Sequence, residues 1–102
     1  MVKHVILWRL REDLTAEEKE TVKRDIKTGL EGLFGRIHGL IYIEVIVDGR
    51  LDSSNADVML DCTFTDEAAL RAYAVHPDHV AVADSKVRPY TSLRVCLDYE
   101  VD

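Results

Sequence analysis

Two imidazoles and a phenol share one short stretch, Tyr73-Ala74-Val75-His76-Pro77-Asp78-His79, in a chain with four histidines. Imidazole is the side chain whose ordinary pKa lies closest to neutrality, so it can take or give a proton at physiological pH. A tyrosine hydroxyl beside it can hold it or polarise a carbonyl oxygen. A third imidazole, His4, sits in an N-terminal run that is otherwise apolar or basic. Side chains of this kind suit the lining of a ligand pocket, and acid–base chemistry on a small molecule is what they would support.

Each of these residues also has a plainer explanation. His76 precedes a proline that favours the first turn of a new helix, where an imidazole can cap a free amide. His79 falls in that first turn. It either sits solvated on the helix exterior or turns toward the sheet, where the helix N-terminus would keep it neutral and usable as a base. His4 shares a strand face with Ile6 and Trp8, and a half-buried histidine bonded to a backbone carbonyl would account for it. Tyr73 can be core packing with its hydroxyl satisfied at the surface. If the helices cover the His4 face, His4 and His79 approach one cavity from opposite sides. Trp8, Phe64 and either the Leu97 or the Cys96 series would then wall it.

A metal site finds less support. His4, Asp57, Asp61, His76 and His79 are ligand types, but no HxH, HExxH or Cys/His spacing occurs. Weak ion binding is confined to a carbonyl-rich turn, residues 35–39. Walker, Rossmann and serine-nucleophile motifs are missing, and no cofactor is expected.

The elements that must position these residues follow from periodicity. Val2 to Leu10 alternates as a strand with apolar residues on both faces. Thr15-Ala16-Glu17-Glu18 is a capping box. The helix after it carries a stripe at Val22, Ile26, Leu30, Leu33 and Ile37 and ends near residues 35–39. Leu40 to Val47 is a second strand, with Ile41, Ile43, Val45 and Val47 on one face and Leu40, Tyr42, Glu44 and Ile46 on the other. Turn residues precede a third strand, Asp57 to Phe64. Thr65-Asp66-Glu67 opens a helix with Leu70, Tyr73 and Ala74 inward. Pro77 starts another running to about Lys86, and Ser92 to Glu100 is the last strand. This order predicts an α+β chain with helices on one face of a mostly antiparallel four-stranded sheet. The opposite face stays apolar and the chain has no element left to cover it. A second copy would, which predicts a homodimer through sheet faces.

The totals agree with one domain over residues 1–102 and a thin core. The net charge of −6, without a basic cluster, excludes nucleic acid as an expected partner. No run approaches the roughly 20 apolar residues of a membrane span, and a cleavable secretory signal is not recognisable, so a cytoplasmic protein is expected. Cys62 and Cys96 lack CxxC spacing and are expected as two small buried residues rather than a disulfide.

Several pieces, in order, resemble the stress-responsive A/B barrel domain family, a branch of the dimeric α+β barrel superfamily. They are Met1-Val2-Lys3-His4-Val5-Ile6-Leu7, Leu14-Thr15-x-x-Glu18, Thr63-Phe64-x-Asp66-Glu67-x-Ala69-Leu70, Tyr73-x-x-His76-Pro77-x-His79-Val80 and Val95-Cys96-Leu97-Asp98-Tyr99-Glu100. The resemblance spans almost the whole chain. It implies a ferredoxin-like monomer and a homodimer whose two sheets form a barrel. Most members have no assigned reaction. One plant member closes a linear polyketide by aldol condensation, and its strand-one histidine, helix tyrosine and second HPxH histidine fall on His4, Tyr73 and His79. Its first-helix tyrosine and third-strand histidine are Ile26 and Val58 here, so the resemblance does not carry that cyclisation over.

The leading expectation is therefore a dimer that binds a small hydrophobic or aromatic molecule through His4, Tyr73 and His79, with Trp8, Phe64 and His76 as further ligand contacts. The alternative is a cofactor-independent cyclase or isomerase with His79 as general base, Tyr73 holding it or a carbonyl oxygen, and His4 as its acid partner. A dimer whose histidines only cap and bond is the third reading.

Overall fold

The computed structural model describes residues 1–101. The chain runs β1 (Val2–Leu10), α1 (Ala16–Glu31), β2 (Leu40–Ile46), β3 (Val58–Phe64), α2 (Glu67–Val75), α3 (Pro77–Val82) and β4 (Thr91–Glu100). The strands form one antiparallel sheet in the order β2-β3-β1-β4. With the helices on one face, this is the expected ferredoxin-like α+β arrangement. Among the described residues no helix is long and apolar enough to cross a membrane.

Local chemistry sets the helix starts. The Thr15 hydroxyl accepts from the Glu18 amide at 3.1 Å, and the Glu18 carboxylate accepts from the Thr15 amide at 2.8 Å. Asp66 caps α2 by accepting from the Ala69 amide at 2.8 Å. Inward, Val22, Ile26 and Leu30 of α1 and Leu70 and Tyr73 of α2 pack on Ile6, Trp8, Leu60, Cys62 and Phe64 of the sheet.

Four expectations need correction. Helix α1 ends at Glu31 with Gly32 as its cap, earlier than the apolar stripe implied. Leu33 and Ile37 remain buried but belong to the turns after it, where Gly35 and Gly39 take positive φ of 85° and 84°. Gly39 is fixed twice over, since a Cβ there would lie 2.5 Å from that of Ala69. In β2 the register shifts between Leu40 and Tyr42. This bulge turns Leu40 inward beside Ile43 and Val45 and leaves Ile41 44% exposed, so the strict alternation fails at its first residue. The proline-started helix also stops at Val82. A π-helical turn, Ala83–Val87, and a 3-10 turn, Arg88–Tyr90, follow it. Finally, Cys62 is buried as expected, but Cys96 is exposed because no helix covers β4; both thiols are free.

Strand β4 has two different faces. Arg94, Cys96 and Asp98 lie opposite Trp8, Ile6 and His4 of β1, on the helix side. Leu93, Val95, Leu97 and Tyr99 point to the outer side, where Leu97 is 62% exposed and Leu7, Ile46 and Tyr42 are uncovered as well.

Candidate functional site

Strand β1 delivers His4 and Trp8 to the inner sheet face through its period of two. Helix α2 supplies Tyr73, and the break at Pro77 swings α3 so that His79 faces back toward the sheet. The rings of Tyr73 and His79 lie 4.1 Å apart, and those of His4 and Tyr73 5.9 Å apart in an edge-on arrangement. His4, Trp8, Tyr73 and His79 all line one cavity of about 90 Å³, closed by Leu30, Leu70 and the Ala83–Val87 turn. The cavity adjoins an open groove of about 580 Å³ beside β4, with which it shares His4, Leu70, Ala74 and Arg94. A separate open depression of about 500 Å³ around residues 46–59 has neither histidine nor tyrosine. Its Arg50 is bound to Asp57 at 3.1 Å.

Two of the six residues singled out in the sequence stand apart from this lining. His76 caps α3, its Nδ1 accepting from the Asp78 amide at 3.1 Å, and it faces the turn after α1 instead. The proline forces it extended, with ψ of 131°, and so away from the cavity. Phe64 is fully buried behind the site, its ring 5.0 Å from that of Tyr73. It supports the tyrosine rather than lining the space.

The polar groups sit in unequal environments. Burial pushes the His79 pKa below its ordinary 6.5, aided by the nearby charges of Arg88, His4 and Arg94 and opposed by the Ala74 carbonyl. The imidazole is therefore neutral at pH 7, through burial more than through the helix end that the sequence suggested. Burial also raises the Tyr73 hydroxyl, next to the Cys62 thiol, which is itself pushed up to about 12. Neither the Tyr73 hydroxyl nor His79 Nδ1 makes a well-formed hydrogen bond among the described residues, although the Cys62 thiol lies by the first and the Ala74 carbonyl by the second, and both atoms are buried. Such groups are uncommon in folded chains, and a polar molecule held in the adjoining cavity would satisfy them.

His4 is organised differently. Its Nδ1 lies 2.5 Å from Asp98 Oδ1. The carboxylate only accepts, so Nδ1 carries the proton and Nε2 is left as the free nitrogen. Cys96 Sγ is 3.4 Å from the same carboxylate oxygen and 3.8 Å from Nδ1. Because Asp98 already holds Nδ1, that nitrogen cannot deprotonate the thiol, and the three do not form a thiolate triad. His4, Cys96 and Asp98 are also of metal-ligating type, with ligand atoms within 4.8 Å of one another; a metal there would have to displace the His4–Asp98 bond. Asp98 and Arg94 escaped the sequence reading. Their signal was the register of β4 against β1, which requires knowing that the two strands are neighbours.

The low pKa of His79 has a consequence for stability. A base whose folded pKa is depressed binds fewer protons folded than unfolded, so its contribution is intact above the unfolded pKa and declines as pH falls toward the folded one. Stability of the wild type against urea should therefore fall below about pH 6.5. The His79→Gln variant should lose part of that slope. Parallel pH dependences for the two proteins would show that His79 is solvated.

Comparison with known proteins places this geometry in context. A family model described as the stress responsive A/B barrel domain matches residues 2–101. A dimeric protein of unknown function with a ferredoxin-like fold from Bacteroides fragilis is 32% identical, with a TM-score of 0.91, over 98% of this chain and 95% of that one. A dimeric ferredoxin-like protein of unknown function from Thermobifida fusca is 27% identical, with a TM-score of 0.79, over 98% and 90% of the two chains. The hydroxynitrile lyase of Passiflora edulis shares the fold at 15% identity and a TM-score of 0.72, over 99% and 93%. A search of curated proteins finds no match.

Proposed function

Because the chain belongs to the stress-responsive A/B barrel domain family, we propose that it works as a homodimer, paired through its outer sheet faces, and binds a small hydrophobic or aromatic molecule between sheet and helices. The observation that carries the binding reading is the convergence of His4, Tyr73 and His79 on one cavity with apolar walls. The apolar outer face and the dimers described for the Bacteroides and Thermobifida proteins support the pairing. His4, Tyr73 and His79 are the polar contacts in this reading, and Trp8 is the main apolar wall.

Trp8 is the chain's one tryptophan and lines the cavity, which makes it a built-in reporter. Titration with small neutral molecules such as phenol or cyclohexanone should move its indole N–H resonance saturably. Replacing His79 by alanine should weaken phenol binding by roughly tenfold, the cost of one hydrogen bond in a sheltered site. An indole resonance indifferent to every such probe would sink the pocket.

A second reading is favoured by one specific contrast. Neutral His79 stands in ring contact with Tyr73, while His4 is oriented by the Asp98 carboxylate, so two imidazoles with different partners face the same space. That arrangement suits cofactor-independent proton abstraction next to a carbonyl, as a cyclase or isomerase requires. His79 would take the proton, and His4, acting from the doubly protonated form that the Asp98 carboxylate can pair with, would deliver its Nε2 proton to the oxygen.

A further inference from the structure

The chain is acidic, with 19 aspartates and glutamates against 13 lysines and arginines. The cavity is not. Its lining includes Arg88 and Arg94 along with His4 and His79 and no carboxylate, whereas the adjoining groove carries Glu67, Asp98 and Glu100 beside Arg71 and Arg94. The two arginines differ in how far they are already satisfied. Arg88 is ion-paired with Asp84 one helical turn away. Arg71, at the groove, is paired with Glu67 at 2.9 Å. Arg94 makes no ion pair among the described residues, and the acid nearest to it on its own strand face, Asp98, is taken by His4. Its guanidinium lies beside the Cys96 thiol, and its charge is felt by both Tyr73 and His79.

Arg94 also occupies the seam of the site, lining both the 90 Å³ cavity and the open groove. Resting on the ligand-pocket reading above, we propose that the ligand is a carboxylate whose anionic group sits on Arg94. A guanidinium presents parallel N–H donors that match the two oxygens of a carboxylate, a geometry no neutral polar group satisfies as well. The cavity has the volume of about three water molecules at roughly 30 Å³ each. It therefore admits a short apolar or carbonyl-bearing head, while any longer body runs out along the groove. The carboxylate at the seam holds that head against His79 and Tyr73. Arg94 is thus the residue that selects for charge, separate from the groups that would handle protons.

Butyrate and butyramide have the same heavy-atom count and differ in charge, so they isolate this term. Followed by the Trp8 indole resonance, butyrate should bind at least roughly tenfold more tightly than butyramide. Arg94→Gln should abolish that preference and leave butyramide binding within about twofold. Arg36→Gln removes the same charge on the turn after α1 and should leave the preference intact. Equal affinity for the two probes would overturn the carboxylate assignment while leaving a pocket for neutral ligands. A preference that survives Arg94→Gln, or falls equally in Arg36→Gln, would overturn the role of Arg94. If neither probe moves the indole, and phenol does not either, the pocket itself fails and this inference goes with it.

Discussion

Replacing Leu97 by aspartate should leave the protein monomeric, with a mass of 11.6 kDa by light scattering instead of twice that value. Leu97 is 62% exposed on the outer sheet face, so the change removes little from the core of the single chain. In the proposed dimer the same position lies between two sheets. A two-fold interface repeats every substitution, so two carboxylates would be buried without partners. At roughly 3 kcal/mol each, the lower end for an uncompensated buried charge, the dimer weakens by about 6 kcal/mol, or on the order of 10⁴-fold. Val95→Asp should act alike, since Val95 projects from the same face. Far-UV circular dichroism should be retained in both variants. An unchanged mass in the two of them would mean that copies associate elsewhere or not at all.

Tyr73 invites the second large effect, because its two parts pull in opposite directions. The ring is 1% exposed and packs against Phe64 and His79, whereas the hydroxyl is buried beside the Cys62 thiol with no well-formed hydrogen bond among the described residues. Removing the ring by Tyr73→Ala should cost about 3–5 kcal/mol of stability, the range for large aromatic truncations. Removing the hydroxyl alone, by Tyr73→Phe, should raise stability by about 1 kcal/mol, since a buried unpaired polar group is a penalty and not a support. The same phenylalanine variant should bind phenol less tightly, or turn over any accepted substrate more slowly. A gain in stability with a loss of function is the signature of a group kept for its chemistry. Should Tyr73→Phe prove destabilising by more than about 1 kcal/mol, the hydroxyl has a structural partner and the functional reading of this residue is wrong.

The fold was readable because its signals are local. The period of two in β1, the Thr15–Glu18 box and the Pro77 break each state their element within a few residues. What went unread depends on pairing. The bulge at Leu40–Tyr42 is invisible to alternation, because one extra residue leaves the composition unchanged while reversing the faces. The early end of α1 at Glu31 was masked by Leu33 and Ile37, which continue the apolar spacing although the backbone has already turned.

The site divides along the same line. His4, Tyr73 and His79 were visible as residue types in suggestive positions, and the sheet-facing swing of α3 brings them together. His76 has an equally suggestive position, yet the constraint that proline places on its own backbone turns it the other way. Asp98 and Arg94 have no local signature at all. They matter only because β4 lies beside β1 in antiparallel register, which puts the carboxylate against His4 and the guanidinium opposite Trp8.

Strand β4 thus serves two masters by turns. Its even-numbered residues from 94 to 98 attend to the helix side, Arg94 to the cavity and all three to the groove, and its odd-numbered residues from 93 to 99 attend to the bare side of the sheet. A deletion or insertion of a single codon in this strand would swap the two sets at a stroke, sending arginine and aspartate outward and leucine and tyrosine in. The length of this segment should accordingly be far less negotiable than its composition.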